Sequence, residues 1–137
     1  MAKSKKIVDR MYEFDYFSQW LGIEKVLVDK GHVILKMKVT KDMLNGFGIA
    51  HGGITYSLAD SALAFASNGR GIQSVSIETS INHIKPTREG DTLIADAKEL
   101  NVTNKTGLYE VKVKNQDGEL VALFKGMVYR TGKEWKL

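Results

Sequence analysis

Between Met43 and Gly69 the chain reads MLNGFGIAHGGITYSLADSALAFASNG, and Asp60 is the only Asp, Glu, Lys or Arg in it. With 26% of the whole chain charged, a stretch of this length would ordinarily carry about seven charges. Six of the 13 glycines fall between positions 46 and 71. So apolar a segment must be covered, and the rest of the chain has to wrap around it. Gly52-Gly53 opens a helix over 53–68, and Asn68-Gly69 is its stop signal. At 100° per residue, Ile54, Leu58, Ala62 and Phe65 share one face, which should pack on a sheet. Gly53, Tyr56, Ser57, Asp60, Ala64 and Ser67 lie opposite. Most of these are small, which suits the close approach of another backbone.

The flanking sequence supplies the sheet. Val26 and Val28 alternate before Asp29-Lys30-Gly31, and Val33, Leu35, Met37 and Val39 alternate after it, predicting a hairpin over 23–39. Residues 72–84 alternate again, with Val75, Ile77, Thr79, Ile81 and His83 on one face. Pro86, the single proline, stops that strand. Further strands are predicted over about 92–102, from Tyr109 through Lys114, and over 119–130. Leu120 to Phe124 is apolar on both faces, so the last strand should lie mid-sheet. Residues 7–21 place apolar side chains at spacings of mostly three and four, predicting an N-terminal amphipathic helix. The reading is α+β, with about six strands and one helical interruption.

The chain of 137 residues fits a single domain, 1–137, with a core that needs no covalent staples. No cysteine is present, which excludes disulfides, thiolate metal sites and cysteine nucleophiles. No cluster has metal-ligand spacing. The absence of a long apolar run and of a secretory signal points to a cytoplasmic protein that does not enter membranes. The net charge of +4 owes three units to Lys3, Lys5 and Lys6. Residues 1–6 read as a basic, solvated tail, and the remainder is nearly balanced, which argues against a nucleic-acid partner.

Asp60 requires a reason. A carboxylate on a buried helix costs several kcal/mol unless it is paired, or else its pKa rises. The turn at Gly52 and Gly53 leaves backbone N–H groups free at the positive end of a helix dipole, a place that can hold an oxyanion. Gly52 and Asp60 are eight residues apart, which is about 12 Å along a helix. The two groups therefore cannot both reach one reacting carbon. Two antiparallel copies of the helix about a two-fold axis would bring each Asp60 to its partner's glycine turn, and a two-fold dimer is the commonest oligomer.

The stretch from Asn45 through His51-Gly52-Gly53 to Asp60 resembles the signature of hotdog-fold acyl-CoA thioesterases of the PaaI-like branch, named for phenylacetate degradation. The resemblance continues through His83-Ile-Lys-Pro86, Glu89-Gly-Asp91, Lys105-Thr-Gly107 and Val121 to Gly126, and covers roughly 20–131. It implies a long central helix wrapped by a curved antiparallel sheet, homodimers often paired into tetramers, and sites at the dimer interface. It also implies that Asp60 is the catalytic carboxylate, acting as nucleophile or as base for a water. Gly52 matches the oxyanion-hole amide, and Asn45 the residue that positions the thioester carbonyl or the attacking water. Ser76 matches a position where some relatives use a hydroxyl.

Other residues enter with alternatives open. His51 either fixes the turn or serves as an acid. Gly53 belongs to the same turn. Lys85, Arg88 and Lys105 lie in turns beside the expected pantetheine groove and would meet the coenzyme A phosphates. His32 should be solvated, and His83 should be core or interface. Tyr56, Leu63, Phe47 and Met43 are candidates to shape an acyl pocket for an aryl or medium- to long-chain group. No cofactor is expected beyond the coenzyme A of the substrate, because a thiolate is already a good leaving group. The competing readings are a hotdog hydratase or dehydratase, which would use His51 with Asp60, and a non-catalytic acyl-CoA-binding protein.

Overall fold

The computed structural model describes residues 2–137. Two helices come first, α1 (Ala2–Phe14) and α2 (Tyr16–Trp20), followed by β1 (Glu24–Asp29) and β2 (His32–Lys38). A short 3-10 turn (Lys41–Met43) leads to the long helix α3 (Gly52–Asn68). Four strands complete the chain: β3 (Ile72–His83), β4 (Thr92–Val102), β5 (Thr106–Lys114) and β6 (Leu120–Glu134). They form one six-stranded sheet in the order β1-β2-β4-β5-β6-β3, antiparallel throughout. This is the hotdog arrangement, a sheet wrapped around a central helix.

Alternation decides which sheet face meets α3. Val33, Leu35 and Met37 on β2 are fully buried, as are Leu93, Ala95 and Ala97 on β4 and Val111 and Val113 on β5. Leu58, Ala62 and Phe65 are fully buried on the helix side, so the predicted apolar face packs on the sheet. The register sets small against large: Ala97 stands between Val33 and Val111, and Ala95 between Leu35 and Val113. That pattern gives the helix a trough to lie in. Strand β6, apolar on both faces, lies between β5 and β3, as its composition predicts.

The helix end is locked by Asn68, which is buried. Its Oδ1 accepts from Ser74 N at 2.9 Å and from Trp135 Nε1 at 2.9 Å. Its Nδ2 donates to the carbonyls of Ala64 at 2.9 Å and Ser74 at 3.1 Å. One amide thus ties α3, β3 and the C-terminal segment together with its hydrogen-bonding capacity filled.

Three expectations are corrected. First, of the expected basic tail, Met1 lies outside the described residues, and residues 2–6 are the first turns of α1. Ser4 is buried there and its hydroxyl donates to Gly69 O at 2.7 Å, while Lys5 pairs with Asp9 one turn on. Second, the helix expected over 7–21 is two helices. Asp15 leaves the helical region at φ −90°, ψ 77°, and caps α2 by accepting from Ser18 N. A short acid that can bond the backbone two or three residues on competes with helix continuation.

Third, the single face predicted for 72–84 does not exist. A bulge between Ser76 and Glu78 inserts Ile77 and flips the parity. Ser74 is buried before it, Thr79 and Ile81 are half-buried after it, and Val75 and Ile77 are each 57% exposed. Strand β3 is also a sheet edge, so these side chains have no neighbouring strand to cover them.

Candidate active site

The chain approaching α3 forms a tight loop whose geometry is set by Asn45. Leu44 and Ala50 bridge across its base, and Asn45 N donates to Ile49 O at 2.8 Å. The Asn45 side-chain Oδ1 accepts from Phe47 N at 2.9 Å and more weakly from Ile49 N at 3.4 Å. Because only the oxygen of a side-chain amide can accept, these bonds fix which way the amide faces. They leave Nδ2 with no partner among the described residues.

His51 follows and caps α3. Its Nδ1 accepts from Gly53 N at 2.9 Å, which makes the imidazole an N-cap of the usual kind with nitrogen in place of oxygen. The cap explains the small residue next door, since a Cβ at Gly53 would stand 3.0 Å from Nδ1 and push it away. It also corrects an expectation. The Gly53 N–H is occupied and is not a free oxyanion donor. Gly52 N–H has no acceptor among the described residues and lies at the positive end of a 17-residue helix.

Asn45 and Gly52 line a common cleft of about 370 Å³ with His83, Lys85 and Thr87. Lys85 is shared with Glu119 as an ion pair, Nζ to Oε2, while Arg88 lies one residue beyond Thr87 with its side chain exposed. Lys105 does not border this cleft within one chain. It sits in the β4–β5 turn beside Thr106, which pairs with Tyr129 and so with Val75. Val75 and Lys85 are separated by most of β3, roughly 30 Å of extended chain. Turn composition identified Lys105 as a surface cation but carried no information on which end of the sheet it would occupy.

His83 was missed. Its ring is exposed and its Nε2 would stand 3.2 Å from a Cβ at Gly52. It keeps the parity of Thr79 and Ile81, but as the last residue of β3 it lies beyond the part of that face that α3 covers. The signal available in the sequence was its position three residues before Pro86, where the strand has to end. His32 is also corrected: it is half-buried and bonded through Nε2 to Asp96 Oδ1 at 2.7 Å.

Asp60 opens into a different cleft, of about 290 Å³, with Ser76, Ser67, Met11, Leu63 and Val128 among its walls. Among the described residues no group donates a hydrogen bond to its carboxylate. Burial, and then the charge of Asp15, hold its pKa above the ordinary carboxylate range. Ser76 is brought to the same cleft as Asp60. The amide donors are not. Within one chain the Gly52 cleft and the Asp60 cleft are separate, one at the N-terminus of α3 and the other at its midpoint.

A family model described as the thioesterase superfamily matches residues 47–122. The acyl-coenzyme A thioesterase PaaI of Escherichia coli is 40% identical over 89% of this chain and 87% of its own length. The chain belongs to the thioesterase superfamily. It is a thioester hydrolase of the PaaI-like type. A putative esterase of Archaeoglobus fulgidus is 41% identical over 98% of this chain and 90% of its own. The solved E. coli PaaI structure superimposes with a TM-score of 0.95 at 38% identity, covering 97% of this chain and 96% of that one. A Streptococcus mutans protein solved with acetyl-CoA bound has a TM-score of 0.80 at 34% identity, over 82% of this chain and 91% of that one.

Proposed function

We propose that this protein is an acyl-CoA thioesterase whose site is assembled from two chains. The Gly52 N–H and Asn45 Nδ2 of one protomer would hold the thioester carbonyl oxygen, and the partner's Asp60 would supply the carboxylate. The observation that carries the reading is the pairing of two incomplete clefts. One has unpaired amide donors and no acid. The other has an unpaired acid, raised in basicity, and no donor aimed at it.

The chemistry follows from these groups. Attack on the carbonyl carbon puts negative charge on its oxygen, where two fixed N–H groups stabilise it. In the base route Asp60 takes the proton of the attacking water. The tetrahedral intermediate then expels coenzyme A thiolate, which recovers that proton as the acid departs. In the nucleophile route Asp60 forms an anhydride, expelling the thiolate, and water cleaves the anhydride. Neither route requires a metal or a cofactor. Lys85 and Arg88 lie on the amide-donor side, where the coenzyme A phosphates would meet them.

Two relatives support the assignment. Solved neighbours hold acetyl-CoA or coenzyme A. A thioesterase-type protein of Streptococcus pneumoniae has been solved with an Asp and with a Thr each exchanged for Ala. Those two positions are separated by as many residues as Asp60 and Ser76 are here.

The test is thiol release from a panel of aryl- and fatty-acyl-CoAs, with Asp60→Asn as control. Release by the wild type and its loss in the variant are expected. No release from any substrate, or equal rates in both, would refute the reading. Mixing inactive Asn45→Asp and Asp60→Asn chains tests the shared site. Mixed dimers would contain one intact site and regain a fraction of activity, whereas a site within one chain would show no recovery.

A further inference from the structure

We propose that Asp15 and Ser18 are positioning residues for Asp60, forming with Ser61 a hydrogen-bonded clamp that fixes the Asp60 turn of α3 and sets a negative charge beside it. This rests on Asp60 being the reacting carboxylate.

The clamp is defined atom by atom. Ser18 is fully buried and Ser61 is 8% exposed. Asp15 Oδ1 accepts from Ser18 N at 3.0 Å, and Oδ2 accepts from Ser18 Oγ at 2.7 Å. The two serine hydroxyls are 2.8 Å apart. A carboxylate can only accept and a hydroxyl has one proton. The Ser18 proton therefore goes to Asp15, and the Ser61 proton goes to Ser18. Ser61 follows Asp60 directly on α3. A helical serine usually returns its proton to the carbonyl one turn back; here it points outward and binds another helix. The break between α1 and α2 is what makes this geometry available, since Asp15 is free to fold back on Ser18 only because it is non-helical.

Helix α1 also borders Asp60. Met11 of α1 is a wall of the Asp60 cleft and also of the adjoining one, which Arg10, Asp15 and Trp135 border. The other walls of the Asp60 cleft, from α3, β3 and β6, carry only apolar, hydroxyl and amide side chains. Arg10 stands over the ring of Phe14. Asp15 is thus the acid that the N-terminal segment presents to Asp60, and it opposes Asp60 ionisation. A carboxylate that holds its proton more tightly is a stronger base.

Asp15→Asn and Asp15→Ser separate charge from structure, because both replacements are good helix N-caps. In the Asn variant Nδ2 can donate to Ser18 Oγ, so the clamp reverses but persists. Both variants should stay folded, with the acid limb of the kcat/KM pH profile displaced to lower pH and kcat at neutral pH reduced several-fold. Ser18→Ala keeps the charge and breaks the clamp. It should lower kcat by ~10-fold or more at nearly constant KM, since small misplacements of reacting groups are costly. An unmoved acid limb in the folded neutral-cap variants would overturn the electrostatic part. A lower melting temperature in Ser18→Ala with kcat intact would overturn the positioning part. Wild-type activity in Asp60→Asn would instead remove the reading on which both depend.

Discussion

Asn45→Asp isolates the donor that the structure assigns to this side chain. The loop from Asn45 to Ile49 is held by Oδ1, through Phe47 N at 2.9 Å and Ile49 N at 3.4 Å. An aspartate keeps that acceptor and strengthens it with charge. The loop should therefore survive, and the melting temperature should stay within a degree or two of wild type. What disappears is the Nδ2 donor. Removing one oxyanion donor costs about 10²–10³ in kcat, roughly 2.7–4 kcal/mol. A carboxylate in its place also repels the developing oxyanion, by up to about 4 kcal/mol at 4 Å in a partly screened site. The expected loss is at least ~10² in kcat, read by coenzyme A thiol release. Asn45→Ala should lose comparable activity and stability as well, because the loop anchor goes with the donor. An Asn45→Asp enzyme within threefold of wild type would show that Asn45 only shapes the loop.

Two further outcomes follow from the same geometry. Because burial and Asp15 raise the Asp60 pKa in the folded chain, the stability this group allows is full below its unfolded value and is lost as pH rises through the folded one. Asp60→Asn should therefore melt above wild type near pH 7, with the difference closing below about pH 3.9; equal melting temperatures across that range would contradict it. His51→Ala removes the cap on Gly53 N and should cost about 1 kcal/mol in urea unfolding, while His51→Asn, which can also cap, should retain both stability and most activity. A large activity loss in a stable Asn variant would instead make His51 an acid.

Much of this was legible because periodicity reports burial directly. The helix over 53–68 and the strand over 92–102 have nearly the bounds that the residues predict, and Leu58, Ala62 and Phe65 are buried as the 100° wheel predicts, although Tyr56, placed on the opposite face, also meets the sheet at Phe124 and Thr79. The failures share one physical origin. Alternation is a local signal, and a bulge such as that at Ile77 resets it without leaving a mark in composition. The exposed Val75 and Ile77 were misplaced for that reason, whereas His83 keeps the parity of Ile81 and is exposed at the strand end. The break at Asp15 was similarly hidden, because an acid inside an apolar pattern reads as a solvent-facing helical residue until its carboxylate is seen to accept from Ser18. Which end of the sheet Lys105 would occupy was not legible either, since proximity across a sheet is set by strand order, which turn sequences do not encode.

In the proposed site α3 serves at two points, its N-terminus and its midpoint at Asp60. Its N-terminus must expose one amide and occupy the next, which is why His51 caps Gly53 and leaves Gly52 free. The Asp60 turn must keep a carboxylate dry without pairing it, which is why its cleft walls are small or apolar. These demands oppose each other within one site, because a free amide at hydrogen-bonding distance would pair with the acid and lower its basicity. Placing them about 12 Å apart on one rigid helix keeps each group unspent. In the proposed dimer, association with a second chain would bring donor and base together across the thioester, with the substrate carbonyl between them.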